Sequence, residues 1–232
     1  GGLPNMTLLS GADSEETRKL TEASIGIPGP CYLRFAREAT PVVTDPETPF
    51  KPGIATIIRY RGTETGRFMD AFETVLSTDY RGSGEDLSII ATGPVVAEAM
   101  RAAWILKSEY GLETRIVNVS TIKPLDTAAI IAAARETGAV LTVEEHQKGG
   151  LGNLVAAVIL EAGRVESAGL EIAGLDTAGA EGAAGIRFTR MGIEDRFGTS
   201  GAPWELMKHF GLTAEHIARK GAEMVRLCKP IK

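Results

Sequence analysis

Long apolar runs, cysteine pairs, blocks of positive charge and internal repeats are all missing from this chain. No stretch approaches the roughly 18 apolar residues of a membrane-spanning helix, which argues against a membrane role. The two cysteines, Cys31 and Cys228, lie far apart with no CxxC spacing. That excludes a disulfide framework or a cysteine zinc site. With no secretory signal either, both read as reduced thiols and small apolar fillers in a cytoplasmic protein. Lys and Arg number 25 against 30 Asp and Glu, for a net charge of -5. The basic residues are scattered, so there is no electrostatic footprint for nucleic acid or for an anionic membrane surface. What remains is ordinary for a soluble globular protein, with 44% hydrophobic and 24% charged residues. The 232 residues suffice for one sizeable core, or one domain plus part of another.

The chain opens in a turn and a short strand ending at Ser10. Asp13 is a good N-cap, with Glu15 and Glu16 in the first helical turn, where the helix dipole favours them. Gly26 and Pro28 stop that helix, and a strand follows over 31–35. Residues 1–40 thus read as one β-α-β piece, which cannot bury both faces of its strands alone. The expectation is the tail of a domain whose body lies upstream. Pro41, Pro46, Pro49 and Pro52 then predict a semi-rigid, extended linker, with a domain boundary over 41–53. From 54 onward strands alternate with helices, apart from a glycine-rich insertion near 61–86 that reads as a hairpin or short helix. Strands are predicted over 54–60, 87–91, 114–119, 139–143 and 186–191. Helices are predicted over 95–110, 126–137, 151–162, 203–210 and 213–227. The Ala/Gly-rich stretch 163–185 reads as a loop or irregular hairpin. This order predicts an α/β fold, a mostly parallel sheet with helices on both faces.

Four groups of residues could carry chemistry. Arg34 and Arg37 follow the strand that closes the first unit, where a guanidinium can make a bidentate pair with phosphate. A surface salt bridge to Glu38 is the competing reading. Glu144, Glu145 and His146 end a strand. With no second histidine at helical spacing and no nearby cysteine they make a poor metal set. Adjacent strand residues face opposite ways, so the alternative is pairing with basic groups at a subunit or domain interface. Gly149-Gly-Leu-Gly152 opens a helix and could cradle a phosphate, yet it lacks the Walker and dinucleotide patterns, which favours packing geometry. His209 and His216 have no telling partners, and the 195–201 loop could shape an interface or a pocket rim. There is no nucleophile elbow and no Ser/His/Asp set.

One order of motifs is specific. Gly29-Pro-Cys-Tyr-Leu-Arg34, Ile89-Ile-Ala-Thr-Gly93, Val117-Asn-Val-Ser-Thr-Ile-Lys-Pro-Leu-Asp126, Thr142-Val-Glu-Glu-His146, Gly149-Gly-Leu-Gly152 and Gly192-Ile-Glu-Asp-Arg-Phe-Gly-Thr-Ser-Gly201 occur in that order. Together they resemble the C-terminal part of a transketolase, above all the split transketolases whose C-terminal half is a separate polypeptide. The resemblance covers nearly the whole chain, except the insertion and the stretch after Gly163. It implies that 1–40 is the end of a pyrimidine-binding domain and that 54–232 is a transketolase C-terminal domain. It implies a transferase of the pentose phosphate pathway that moves a two-carbon ketol unit between sugar phosphates, using thiamine diphosphate and Mg. The family arginine that grips the sugar phosphate matches Arg37, by its place in the Arg-x-x-x-Pro run ending at Pro41. Arg34 is the second candidate.

The departures matter as much. The family's Gly-Asp-Gly diphosphate-metal motif is absent, and so is the part of the pyrimidine domain with the activating glutamate. Thiamine chemistry needs that proton relay, because the cofactor carries the reaction and the protein positions and activates it. The expectation is a chain inactive alone, contributing dimer contacts and a phosphate-binding arginine. Its partner would be a second copy or an N-terminal transketolase subunit. The alternatives are part of a 1-deoxyxylulose-5-phosphate synthase, part of a 2-oxoacid dehydrogenase beta subunit, or a non-catalytic assembly or regulatory module.

Overall fold

The computed structural model describes residues 2–62, 66–82, 84–165 and 185–228. The Ala/Gly-rich stretch expected to be a loop or irregular hairpin therefore lies almost wholly outside the described residues. Nine strands and six helices follow one another among those described. The first unit is β1 (Thr7–Ser10), α1 (Ser14–Ser24) and β2 (Cys31–Arg34), with β1 and β2 parallel. Asp13 caps α1 as its sequence position predicts, accepting the Glu16 N–H at 2.9 Å.

The larger sheet contains β3 (Thr56–Tyr60), β4 (Phe72–Leu76), β5 (Leu87–Ala91), β6 (Thr114–Asn118), β8 (Ala139–Gln147) and β9 (Arg187–Ile193), in the order β4-β3-β6-β5-β8-β9. The β6-β5, β5-β8 and β8-β9 pairings are parallel, while β3 runs against both its neighbours. Its four inner strands are buried on both faces, and neighbouring residues divide between two cores. Ile58, Ile89 and Ile116 meet α2 (Val95–Tyr110) and α6 (Ala214–Cys228). Ile57, Ile90 and Val117 meet α3 (Thr127–Thr137) and α4 (Leu151–Val165). This two-residue alternation is why helices cover both faces. Gly111 and Gly138 end α2 and α3 in the left-handed conformation, at φ 66° and 64°. No described helix is long and apolar enough to cross a membrane.

Two features were not legible in the sequence. The Thr-Ile-Lys segment after β6 is a strand of its own, β7 (Thr121–Lys123), which pairs antiparallel with β1. The first unit is therefore a three-stranded sheet, β2-β1-β7, whose third strand comes from the C-terminal part of the chain. The proline-rich segment contains turns at 45–48 and 51–54, and side chains hold it in place. The Asp13 carboxylate that caps α1 also accepts the N–H groups of Val43 and Thr44, at 2.7 and 2.6 Å. Lys19 donates to the carbonyls of Asp45 and Thr48. The insertion, expected to be a hairpin or a short helix, has a 3-10 turn at Phe68–Ala71 and the strand β4, which forms a hairpin with β3.

Candidate functional site

Of the sequence-predicted residues, Arg34 and Glu145 meet where the first unit abuts the carboxyl ends of the large sheet. Close approach is built in at Gly93, just after β5. A Cβ there would stand 2.9 Å from Ser10 Oγ and 3.1 Å from Arg34 Nη1. Gly93 also has φ +68°, so only glycine suits both its backbone and its neighbours. Ser10 N–H donates to the Ser120 carbonyl at 2.8 Å, and Ala12 N–H donates to the buried carboxylate of Glu16 at 2.7 Å. The other Glu16 oxygen accepts from Asn118 Nδ2 at 2.8 Å. Burial drives the Glu16 pKa up to about 7, against the opposing pull of the Ala12 and Asn118 donors.

Glu144 and Glu145 separate as strand alternation predicts. Glu145 reaches the first unit, with Oε2 3.4 Å from Arg34 Nη2. The expected pairing with a basic group holds for Glu145 and fails for Glu144. The Glu144 side chain is 0% exposed and turns under the glycine turn. There it accepts the N–H groups of Leu151 and Gly152, at 2.7 and 3.0 Å. A carboxylate of the chain itself thus occupies the α4 N-terminus, satisfying its free donors and its dipole. The glycine turn is therefore packing geometry and no phosphate cradle. Any Cβ at Gly150 would overlap Glu144 and His146, and one at Gly152 would lie 2.7 Å from Arg190 Cδ. His146 Nδ1 lies 3.3 Å from the Glu144 carboxylate.

Arg37 stands apart from Arg34. Its side chain is 95% exposed, and Nε is 3.8 Å from Glu38 Oε1, too long for a strong pair. It opens on a cavity of about 280 Å³ that is also lined by Arg101, Glu98, Glu145 and Trp204. Arg101 sits 3.3 Å from Glu98, which also accepts the Ala214 N–H and whose pKa burial raises. Sequence reasoning missed Arg101 and Trp204. The only signal was the i,i+3 spacing of Glu98 and Arg101, which marks an ordinary helix pair.

The remaining candidates stay apart. His209 packs edge-on against Phe210, and His216 Nδ1 lies 2.8 Å from Thr213 Oγ1. In the 195–201 loop Phe197 is 99% exposed, and Gln147 donates to the Arg196 carbonyl. Cys31 is a free, half-buried thiol with its pKa raised by burial. Among the described residues no three His, Cys, Asp or Glu side chains gather as metal ligands. The Arg37 cavity itself is lined by Arg37 and Arg101 together with Glu38, Glu98 and Glu145.

Residues 77–187 match the family model "Transketolase, C-terminal domain". The chain is 31% identical over 225 residues to one subunit of the apulose-4-phosphate transketolase of Phocaeicola vulgatus, covering 96% of this chain and 57% of that protein. It is 30% identical to 1-deoxy-D-xylulose-5-phosphate synthase 1 of Geobacter sulfurreducens, over 93% of this chain and 28% of that one. Among solved structures, a split-gene transketolase described as an inactive beta4 tetramer superposes with a TM-score of 0.73 at 30% identity. That match covers 98% of this chain and 60% of the other. The chain thus spans little more than half the length of the split-transketolase relatives it matches.

Proposed function

This chain carries a transketolase C-terminal domain, and on that premise we propose that it works as the C-terminal portion of a transketolase. The assembly moves a two-carbon ketol unit between sugar phosphates. Thiamine diphosphate supplies the carbanion chemistry and Mg its diphosphate contact, both held by residues this sequence does not contain. In this reading 1–40 closes a pyrimidine-binding domain and 54–232 is the C-terminal domain. The chain contributes subunit contacts and a guanidinium for the substrate phosphate.

The supporting observation is the state of Arg37. It sits just past the carboxyl end of β2, beside a cavity, with its charge uncommitted except for a 3.8 Å approach to Glu38. An exposed guanidinium costs little to redirect onto a phosphate, and bidentate geometry would hold it there. Arg34 is the weaker candidate because Glu145 already engages it.

The test is a coupled ketol-transfer assay with thiamine diphosphate and magnesium, run on this chain alone and mixed with a separately made N-terminal half. Activity only in the mixture is expected. Silence in both, from folded protein, would refute the proposal. The similarity to the Geobacter synthase supports a second reading, a portion of a deoxyxylulose-phosphate synthase. The corresponding synthase reaction, run in parallel with its own N-terminal half, separates the two.

A further inference from the structure

A second cavity, of about 480 Å³, lies at the outer edge of the large sheet and does not include Arg37. Its wall combines the end of β8, the carboxyl half of β9 and the first turns of α6. Those elements bring Lys148, Arg190, Arg219, Lys220 and His216 to one cleft, with Glu194 and Glu223 on the same wall. Lys148, Arg219 and Lys220 therefore face two carboxylates, with Arg190 at the sheet edge beside them, in a chain whose net charge is -5. The excess is local and runs against the overall balance of the molecule.

The partners of these cations are weak or removable. Lys148 pairs with Glu194, and Lys220 lies 3.2 Å from Glu223, but both carboxylates are mostly exposed, at 70% and 54%. Exposed pairs of this kind contribute little and yield to a better anion. Arg190 donates to Asn153 and, at 3.5 Å, to the Lys148 carbonyl, so a neutral amide and a backbone oxygen hold it in place without neutralising it. Arg219 is exposed and forms no ion pair among the described residues. Convergent cations in excess of their exposed carboxylate partners, at the carboxyl edge of a sheet, form the arrangement that concentrates and orients an anionic ligand.

We propose that this cleft, bounded by Lys148, Arg190, Arg219 and Lys220, binds a phosphate-bearing small molecule. The phosphate sits against the guanidinium of Arg219 on α6, with Lys148 and Lys220 releasing their carboxylates to it, while the Arg190 side chain borders the sheet edge and stays on Asn153. One guanidinium fork suits the bidentate geometry of phosphate, and the lysines add point charge. The cavity is larger than orthophosphate needs, so an organic phosphate fits as well. This site rests on its own residues and stands whether or not the chain acts in ketol transfer.

The test is NMR titration of the full chain in phosphate-free buffer at ionic strength fixed with sodium chloride. Inorganic phosphate is the probe in one arm and glycerol 3-phosphate in the other. The expected result is saturable, concerted shifts of the Gly192, Gly211 and Arg219 amides in at least one arm. Arg219→Glu and, separately, Lys220→Glu each weaken them about tenfold or more, while Arg37→Ala leaves them in place. Both substitutions are at exposed or half-exposed helix positions, and an unchanged amide spectrum elsewhere checks the fold. Shifts that do not saturate, that persist in Arg219→Glu, or that cluster around Arg37 instead would overturn the proposal.

Discussion

Glu16 and Asn118 are 102 positions apart in the sequence, yet Oε1 of the first accepts Nδ2–H of the second at 2.8 Å inside the protein. The contact ties α1 of the first unit to β6 of the large sheet. Asn118 Oδ1 is buried without a partner.

Burial lifts the Glu16 pKa from 4.5 to about 7, so the folded state holds this proton more tightly than the unfolded chain does. Stability from this group is fully present below pH 4.5, falls as pH rises through the window to about 7, and is flat above it. The loss is on the order of 3 kcal/mol across the window. Urea denaturation of wild type and Glu16→Gln between about pH 5 and about pH 8 checks it, with Gln expected to flatten the slope. An unchanged slope in Glu16→Gln would assign the dependence to another group.

Glu85 has the opposite sign. It lies between Arg59 at 3.0 Å and Arg115 at 2.8 Å, with Tyr80 donating to it as well, and all three charged side chains are buried. Burial pushes its pKa up, but the Tyr80 and Arg115 hydrogen bonds outweigh that and bring it to about 2. The stability it contributes is present above its unfolded value of 4.5 and is lost as pH falls toward about 2. The contributions of these two groups alone therefore sum to their greatest near pH 4.5, between the two windows. Glu85→Gln leaves two buried guanidinium groups short of charge and is expected to cost about 3 kcal/mol at neutral pH. A cost within about 0.5 kcal/mol, the range of ordinary surface changes, would show that water already solvates this network.

Much of the large sheet was legible because its signals are local. The Leu87–Ala91 strand, the Val95–Tyr110 helix with its Gly111 cap, and the Asp126-capped helix all have start and stop residues within a few positions of each other. What was hidden depends on partners distant in sequence. β7 is three residues long and exists as a strand because β1 lies beside it. The role of Glu144 could not be read from its strand, since its partners are backbone N–H groups of the next helix. Arg101 and Trp204 face the Arg37 cavity only through packing between α2 and the α5 (Pro203–His209) segment.

Asp13 gives a stability prediction that separates helix capping from linker anchoring. One oxygen accepts the Glu16 N–H, and the other accepts Val43 N–H and Thr44 N–H. Removing a cap costs about 1 kcal/mol, and each buried N–H left without an acceptor about 1–3 kcal/mol more. Asp13→Ala is therefore expected to lose about 3 kcal/mol or more in urea, and Asp13→Asn roughly half of that. Hydrogen exchange should accelerate at Val43 and Thr44 as well as in the first turn of α1. Acceleration in α1 alone would mean that the proline-rich segment holds its place without Asp13.

Arg34 and Arg37 are three positions apart and should fail in different ways. Arg34 and Glu145 are each about one-third exposed and 3.4 Å apart, so a double-mutant cycle of their alanine variants should give a coupling below about 1 kcal/mol. Arg37 is 95% exposed, so Arg37→Ala should leave the unfolding midpoint unchanged while raising KM for the sugar phosphate about tenfold or more in the reconstituted assay. Because a phosphate contact is made in the ground state and the transition state alike, kcat should change little. Arg37→Lys keeps the charge and loses the fork, so it should recover only part of the affinity. A fall in kcat with KM unchanged would place Arg37 with the reacting atoms instead of the phosphate. A shifted midpoint would mean that its exposed side chain is held by contacts within the fold.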